Sequence, residues 1–204
     1  MKTIHEMGKY QQKRRYVIGI IIVLLIFALL FIRSSWYGHM HEYIEAFGLS
    51  FIVFAIIGRL WCTLYIGGRK SAEIVAIGPY SMSRNPLYVF STIGAIGIGA
   101  QTGSLILALV MGLLCYLAFL RVILVEEKFL RGNFGALYQQ YCQKVPRFFP
   151  KFSLFQDAIE LTVKPDRLYR TFGDGLVFFI AYPVFEFIEY LQDSQILPVL
   201  FYMY

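Results

Sequence analysis

Residues 72–88 read AEIVAIGPYSMSRNPLY, and residues 126–150 read EEKFLRGNFGALYQQYCQKVPRFFP. We call these stretches the first and second polar segments. Each lies between long apolar runs, and together they hold most of the side chains that can bind or transform a ligand. Because the apolar runs predict helices that cross a membrane, the function depends on what the two polar segments build together.

The composition predicts a membrane protein. Of 204 residues, 58% are hydrophobic and 16% are charged, whereas a soluble domain is about half apolar and about a quarter charged. We therefore expect an all-α polytopic membrane protein with about five transmembrane helices, in the apolar runs 16–32, 43–66, 86–100, 104–125 and 175–191. The run 86–100 reaches only ~22 Å as a helix, which is short of a hydrocarbon core of ~30 Å.

The positive charges predict the orientation of these helices. With a cytoplasmic N-terminus, all but Arg33 of the 19 Lys and Arg residues fall in cytoplasmic segments or at the cytoplasmic ends of helices, as the positive-inside rule requires. This distribution explains the net charge of +6 without a nucleic-acid partner. It also places both polar segments on the cytoplasmic side.

The chain divides into three predicted parts. Residues 1–68 form a basic segment and a two-helix hairpin, 69–150 a core with the two polar segments around a helical hairpin, and 151–204 an interfacial segment with a last transmembrane helix. Glycines at 94, 97 and 99 would let the helices of the core hairpin approach closely, across a tight turn at residues 101–103. The apolar tail 196–204 is too short to cross.

Histidine and cysteine spacing predicts no metal site. His39 and His41 lie in a predicted loop, residues 33–42, and we expect loop or interface histidines with no third ligand placed to complete a site. None of the three cysteines has metal-ligand spacing, and we interpret them as packing residues without a disulfide.

The local sequence of the first polar segment predicts a helix start that suits an anion. Gly78-Pro79 marks a turn, and Asn85-Pro86 supplies an N-cap followed by proline at the first helical position. The free N–H groups of such a start, reinforced by the neighbouring Arg84, favour a carboxylate ligand.

The acidic pair Glu126-Glu127 opens the second polar segment. If the preceding helix ends at Val125, the carboxylates meet an unfavourable helix dipole, which favours a cationic or hydroxyl-rich ligand. A solvated pair balanced by Lys128 and Arg131 explains the same pattern, and both interpretations stay open.

Taken together, these blocks resemble the isoprenylcysteine carboxyl methyltransferase family, a group of integral-membrane methyltransferases related to phospholipid methyltransferases. The resemblance covers residues 69–150 through G-P-Y…R-N-P-L-Y, the E-E pair, F-G-A-L-Y-Q-Q-Y and V-P-R-F-F-P. It implies S-adenosylmethionine bound in a cytosolic pocket, with a lipophilic acceptor arriving from the bilayer: a small molecule, a lipid or a lipidated protein.

The resemblance also implies site residues. Cofactor contacts carried over by motif fall on Ala72, Glu73, Ile74, Val75, Tyr80, Asn85, Pro86, Leu87, Tyr88 and Glu126. The family often has His at the position of Asn85, so a titrating base is not expected there. A family arginine that holds the carboxylate of the acceptor corresponds best to Arg121, which we assign as catalytic.

Methyl transfer from a sulfonium needs positioning and water exclusion, and no nucleophilic triad is visible. We expect Arg84 to bind the methionyl carboxylate, Glu126, with Glu127 beside it, to bind ribose or ammonium, and Tyr80 and Tyr88 to pack on the adenosine. Residues that would close this pocket are Tyr138, Tyr141 and Arg147, although ordinary helix packing explains the two tyrosines equally well.

Two other classes of function remain open. A membrane NADPH-dependent reductase of the sterol and steroid type shares an R-H-P-N-Y block, from which Asn85 and Leu87 depart. A membrane scaffold without activity would keep the motifs as relics. The compact chain resembles prokaryotic members of the methyltransferase family, so we expect a bacterial cytoplasmic membrane.

Overall fold

The computed structural model describes residues 27, 29–69 and 73–204. Within these residues the secondary structure is, in chain order, β1 Ile32–Ser34, α1 His39–Ile66, α2 Pro79–Met82, α3 Pro86–Ala100, α4 Leu105–Lys144, α5 Pro165–Leu176, α6 Ala181–Asp193 and β2 Phe201–Met203. A 3-10 turn, Val177–Ile180, joins α5 to α6, so that Pro165–Asp193 forms one helical segment of 29 residues.

The predicted fold class, an all-α membrane protein, is confirmed. Three helical segments in the described part of the chain are long and apolar enough to cross a membrane: His39–Ile66, Leu105–Lys144 and Pro165–Asp193. Many large apolar side chains on them are exposed, with Leu109 at 69%, as lipid-facing positions require. Helix α3 is apolar but has 15 residues. The predicted first helix lies mostly outside the described residues.

Several predicted helix boundaries are wrong because the helices extend beyond the apolar runs. Helix α1 begins at His39, so both histidines lie in a helix and not in a loop. Helix α4 continues to Lys144 instead of ending at Val125, and the last segment begins at Pro165. Hydropathy marks the limits of the membrane, whereas Glu, Lys, Gln and Arg continue a helix through water.

Gly135 breaks α4 into two pieces. Its φ of 51° and ψ of −122° are non-helical, in a region that only glycine adopts without strain. The break lets residues 136–144 continue in a new direction, along the first polar segment.

Close helix packing centres on α3. The Cα of Gly99 faces α4 at Ala108, as predicted for the hairpin, but Gly97 faces the Gly48 carbonyl on α1 and Gly94 faces Ala55 on α1. A Cβ at Gly97 would lie 2.6 Å from the Gly48 oxygen. The glycines therefore bring α3 against two helices, and the prediction of a hairpin contact alone was too narrow.

The end of the bundle opposite the polar segments, which we call the far end, gathers the tail of the chain. Strands β1 and β2 pair in parallel, with Ile32 opposite Phe201, although Ile32 was predicted to end a helix. The predicted turn at 101–103 is confirmed, and Ser104 Oγ accepts a hydrogen bond from the Leu107 N–H at 3.3 Å. Ser104 Oγ also donates to the Tyr204 carbonyl at 2.8 Å.

Candidate functional site

The two polar segments meet at one end of the bundle. The Tyr88 hydroxyl, on the first turn of α3, donates a hydrogen bond to Glu126 Oε1 on α4 at 3.0 Å. The Tyr88 ring also packs against Phe119 of α4, with ring centroids 4.7 Å apart. A half-buried carboxylate therefore stands beside the start of a helix, within reach of a ligand bound there.

The end of the second polar segment is hydrogen-bonded to the loop before α3. Pro86 is the first residue of α3 as predicted, but Asn85, at the N-cap position, makes no side-chain cap hydrogen bond. Its Nδ2 instead donates to the Arg147 carbonyl at 3.0 Å. Ser83 Oγ donates to the Phe148 carbonyl at 2.9 Å, and the Arg84 N–H to the Pro146 carbonyl at 2.9 Å. These bonds fix the loop. The N–H groups of Tyr88 and Val89 donate to the Asn85 carbonyl, so Leu87 carries the one N–H of the first turn of α3 for which the described residues supply no acceptor.

Glu127 is the centre of a buried ion cluster. It is 3% exposed and accepts hydrogen bonds from Arg147 Nε and Nη2, both at 3.1 Å. Arg84 Nη2 lies 3.2 Å from the same carboxylate, and Arg131 lies at 3.8 Å. The hydrogen bonds to Glu127 raise the pKa of Arg147.

Two expectations about the acidic pair are therefore wrong. Glu127 is not solvated, because two arginines of the polar segments neutralise it inside the protein. The pair also lies inside α4 and not at its end, so no helix-terminal dipole acts on it. Glu127 and Arg84 therefore join the two polar segments, and Arg147 holds Glu127 from within the second one.

Arg84 retains one donor. Its side chain is 8% exposed, and its buried Nε–H has no hydrogen-bond partner in the described part of the chain. A buried guanidinium N–H without an acceptor costs stability. An anion bound beside the start of α3 would satisfy it.

Aromatic side chains line the same region. Tyr80 is 4% exposed and packs with Cys62 and Tyr65, and burial raises the pKa of its phenol well above the usual value. The Tyr141 hydroxyl donates to the Tyr80 carbonyl at 2.7 Å, so this tyrosine couples the second piece of α4 to the first polar segment. Tyr138 is 3% exposed, which agrees with ordinary packing.

The loop 73–77 leads into this region, while Ala72 lies outside the described residues. The Glu73 side chain, 56% exposed, pairs with Arg69 at 3.3 Å. Val75 and Leu87 pack against the cluster around Tyr80. Among the described residues, the N–H groups at positions 74–76 make no backbone–backbone hydrogen bond, so these donors are available to a ligand.

Arg121 stands apart from the other site residues that the sequence predicts. It is exposed on α4, on the same face as Leu117 and Leu124, which are 47% and 48% exposed. The structure does not bring it to the Tyr88–Glu126 pair. Its face is the one that lipid would contact.

Arg59 is a basic residue inside the bundle that the sequence did not assign to the site. Its Nη1 donates to Ser91 Oγ at 2.5 Å, its guanidinium lies 5.6 Å from the centre of the Phe178 ring, and its buried Nε has no partner among the described residues. Ser91 is one helical turn beyond Tyr88. A cation in an apolar run is costly and marks a functional position, which is the signal that could have identified it.

A second cluster of polar side chains lies at the far end. His41 contacts Glu45 on α1 and Glu189 on α6, and these residues could hold a metal ion. The sequence argument that His41 has no third ligand nearby fails in three dimensions, because Glu189 comes from a helix about 150 residues away.

These features define a class: an integral-membrane protein with a helical bundle and a cluster of polar side chains at one end. Residues 15–137 match the phospholipid methyltransferase family, and the chain belongs to that family. No solved structure matches it.

Curated relatives give two different indications. A nickel-cobalt-cadmium resistance protein, NccN of Alcaligenes xylosoxydans xylosoxydans, is 34% identical over 96% of this chain and 88% of its own length. A cobalt-zinc-cadmium resistance protein, CzcN of Cupriavidus metallidurans, is 34% identical over 96% of this chain and 87% of its own length. A protein-S-isoprenylcysteine O-methyltransferase of Schizosaccharomyces pombe is 35% identical over 40% of this chain and 34% of its own length.

Proposed function

We propose that this protein transfers a methyl group from S-adenosylmethionine to a lipophilic acceptor in the membrane. The observation that carries the proposal is the Tyr88–Glu126 hydrogen bond of 3.0 Å, beside a buried Arg84 whose Nε has no partner in the described part of the chain. Membership of a methyltransferase family supports the same reaction. A bacterial cytoplasmic membrane, with the pocket on the inner side, is part of the proposal.

The residues present fit the methyl donor. Arg84 Nε and the N-terminus of α3 suit its carboxylate, and Glu126 suits its ribose hydroxyls or its ammonium. The N–H groups at 74–76 and the aromatic rings of Tyr80 and Tyr88 suit the adenosine. When bound, the donor supplies an already activated methyl group, so the chain has only to orient it and exclude water.

The length of α3 supports an acceptor that approaches from the bilayer. Its 15 residues span ~22 Å, about 8 Å less than the hydrocarbon core. Since its other end is fixed at the far end of the bundle, Tyr88 and Glu126 would lie below the level of the headgroups. A lipophilic acceptor could then reach the pocket without leaving the membrane.

Arg59 gives the acceptor a chemical class. We propose that its guanidinium, one turn deeper than Tyr88, pairs with a carboxylate or another anionic group of the acceptor. Arg121, on the lipid-facing surface of α4, would contact such a group in the bilayer before it enters the bundle. This division modifies the expectation from the resemblance, in which Arg121 alone held the acceptor.

Binding of S-adenosylhomocysteine to the detergent-purified protein tests the proposal. We expect one equivalent to bind by calorimetry, and Tyr88→Phe to weaken binding by about 2- to 10-fold, because it removes the hydrogen bond that orients Glu126. Tyr169→Phe is the matched control, since Tyr169 is 72% exposed. If the wild-type protein binds NADPH but not S-adenosylhomocysteine, the proposed methyltransferase function is wrong and a reductase function is supported.

The acceptor can be identified in the same preparation. Membranes containing the protein are incubated with the donor labelled in its methyl group and separated into lipids, proteins and small molecules. Label that appears in one fraction, and disappears with Arg59→Gln more than with Arg121→Gln, identifies the acceptor class and supports Arg59 as its anchor. Absence of label from every fraction, despite donor binding, contradicts transfer.

A second candidate function is resistance to divalent metal cations. The relatives NccN and CzcN are named as resistance proteins for such metals. The observation that favours it here is the far-end cluster of His41, Glu45 and Glu189. Growth of a metal-sensitive bacterial host on Co²⁺ or Cd²⁺ tests this role. Rescue of growth by both the wild-type protein and Glu126→Gln would show that resistance does not need the Tyr88–Glu126 site. Rescue by the wild-type protein alone would show that resistance depends on methyl transfer.

A further inference from the structure

The far-end cluster has the composition and spacing of a metal site. His41 Nε2 lies 3.2 Å from Glu45 Oε1 and 3.1 Å from Glu189 Oε1. Ligand atoms about 2.0–2.1 Å from a tetrahedral ion are about 3.3 Å apart, close to both distances. All three atoms lie within 4.8 Å of one another.

The imidazole of His41 is poorly aligned with both carboxylates for a hydrogen bond. Its Nε2 is buried and contacts both of them, and ion pairing with Glu45 contributes. A proton on Nε2 would be directed at an acceptor in line with the N–H. A metal on the same axis would instead have the carboxylate oxygens beside it, at an angle to the axis, which agrees with the observed arrangement.

The negative charge around the cluster is only partly compensated, by the attraction of Arg33 for Glu189. The side chains of His41, Glu45 and Glu189 are 17%, 15% and 27% exposed, so their charges are poorly hydrated. Glu186 adds further repulsion on Glu45, and the neighbouring Arg33 pairs with Asp193 at 2.6 Å. With a neutral imidazole the three ligands carry a net charge of about −2, which a divalent cation neutralises.

The surrounding backbone holds the imidazole in place. Gly103, at a φ of +66°, presents its Cα to the ring, and a Cβ there would lie 2.0 Å from His41 Nδ1. Gln101 Nε2 donates to the Glu45 carbonyl at 2.8 Å. The ligands come from α1 and α6, and the turn between α3 and α4 supports them, so three parts of the fold converge on one point.

We propose that His41, Glu45 and Glu189 bind one divalent cation of the zinc class, with the remaining position open to water. One imidazole and two carboxylates suit Zn²⁺ or Co²⁺, whereas Mg²⁺ and Ca²⁺ prefer all-oxygen sites with more ligands. The site is about 22 Å from the Tyr88–Glu126 pair, the length of α3, at the opposite end of the bundle. The proposal does not depend on methyl transfer.

Metal binding to the full-length protein in detergent tests this site, with a purification tag free of histidine. We expect one equivalent of Zn²⁺ to bind by calorimetry in the presence of excess Mg²⁺. His41→Ala and Glu189→Gln should each lower the affinity at least about 10-fold. The matched controls are His39→Ala and Glu42→Gln, because these side chains are 89% and 73% exposed at the same helix end, and they should leave the affinity unchanged.

A visible absorption spectrum of the wild-type protein with Co²⁺ tests the site without any variant, so the result does not depend on whether variants fold. Intense visible bands that Zn²⁺ displaces would support a four-coordinate site with a nitrogen ligand. A weak spectrum like that of hydrated Co²⁺, no saturable binding of Zn²⁺, or equal losses in His41→Ala and His39→Ala would each overturn the proposal.

Discussion

Glu126 and Glu127 are adjacent in the sequence but have different environments, because successive residues of a helix point about 100° apart. Glu127 turns inward to Arg84 and Arg147, while Glu126 turns to Tyr88 and stays half-buried. The two carboxylates should therefore respond differently to the same substitution.

Glu126→Gln should weaken binding of S-adenosylhomocysteine by about 10- to 100-fold, since it removes a charge-assisted hydrogen bond to the ligand worth about 1.5–3 kcal/mol. The thermal midpoint should change little, because the amide can still accept from Tyr88. Calorimetry and thermal unfolding in the same detergent measure both effects. Glu160→Gln, an exposed carboxylate, is the control, and an affinity unchanged by Glu126→Gln would remove Glu126 from the site.

Glu127→Ala should destabilise the protein by about 3–5 kcal/mol, because it leaves the buried Arg84 without a counter-charge. A clear fall in the thermal midpoint, with and without ligand, is the expected result. Arg131→Gln should shift the midpoint very little, since Arg131 is 52% exposed and 3.8 Å away and exposed pairs contribute about 0–1 kcal/mol. A stable Glu127→Ala protein that only loses ligand affinity would contradict the structural role.

At the scale of elements, Gly135 sets the direction of the second piece of α4. The break lets Tyr141 reach the Tyr80 carbonyl and lets the chain return to the first polar segment at Pro146 and Arg147. An unbroken helix would carry these residues away from the pocket.

Gly135→Ala should therefore lower donor affinity as well as stability. No atom lies within 4 Å of its added Cβ, so the whole cost, about 1–3 kcal/mol, is backbone strain. Relief of this strain by straightening would move Tyr141 from Tyr80. Gly132→Ala is the matched control, because it also meets no atom within 4 Å but lies in regular helix, where alanine is favoured by up to about 1 kcal/mol. Equal affinities of the two variants for S-adenosylhomocysteine would show that the break at Gly135 does not affect ligand binding.

The elements also define what sequence could predict. Proline at position 86 and the turn at 101–103 were predictable because local backbone chemistry determines them. The extension of α4 and the inward turn of Glu127 were not, since both depend on partners such as Arg147 that are distant in the chain. The same reason hid the position of Glu189 beside His41, because it comes from another helix, whereas the His41–Glu45 pair has an i, i+4 spacing that the sequence does contain.

At the scale of the whole molecule, the bundle has two chemically different ends. One end holds Tyr88, Glu126 and the arginine cluster. The other holds the β1–β2 pair, the turn at 101–103 and the His41 cluster, which lie about 22 Å away, the length of α3. A methyl donor made in the cytosol requires the first end to face inward, so the orientation of the chain becomes a test of the function.

The C-terminus should therefore lie outside the cytoplasm. Tyr204 belongs to the far end, where its carbonyl accepts from the Ile106 N–H at 2.8 Å and its ring packs on Trp36 with centroids 5.3 Å apart. Alkaline phosphatase fused after Tyr204 should be active, because it folds only outside, and green fluorescent protein fused there should be dark. The same two reporters at the N-terminus should give the opposite result, as the positive-inside rule predicts for the basic residues 2–15. A fluorescent C-terminal fusion would place Glu126 outside the cell, away from any methyl donor, and would direct the His41 cluster to cytosolic metal instead.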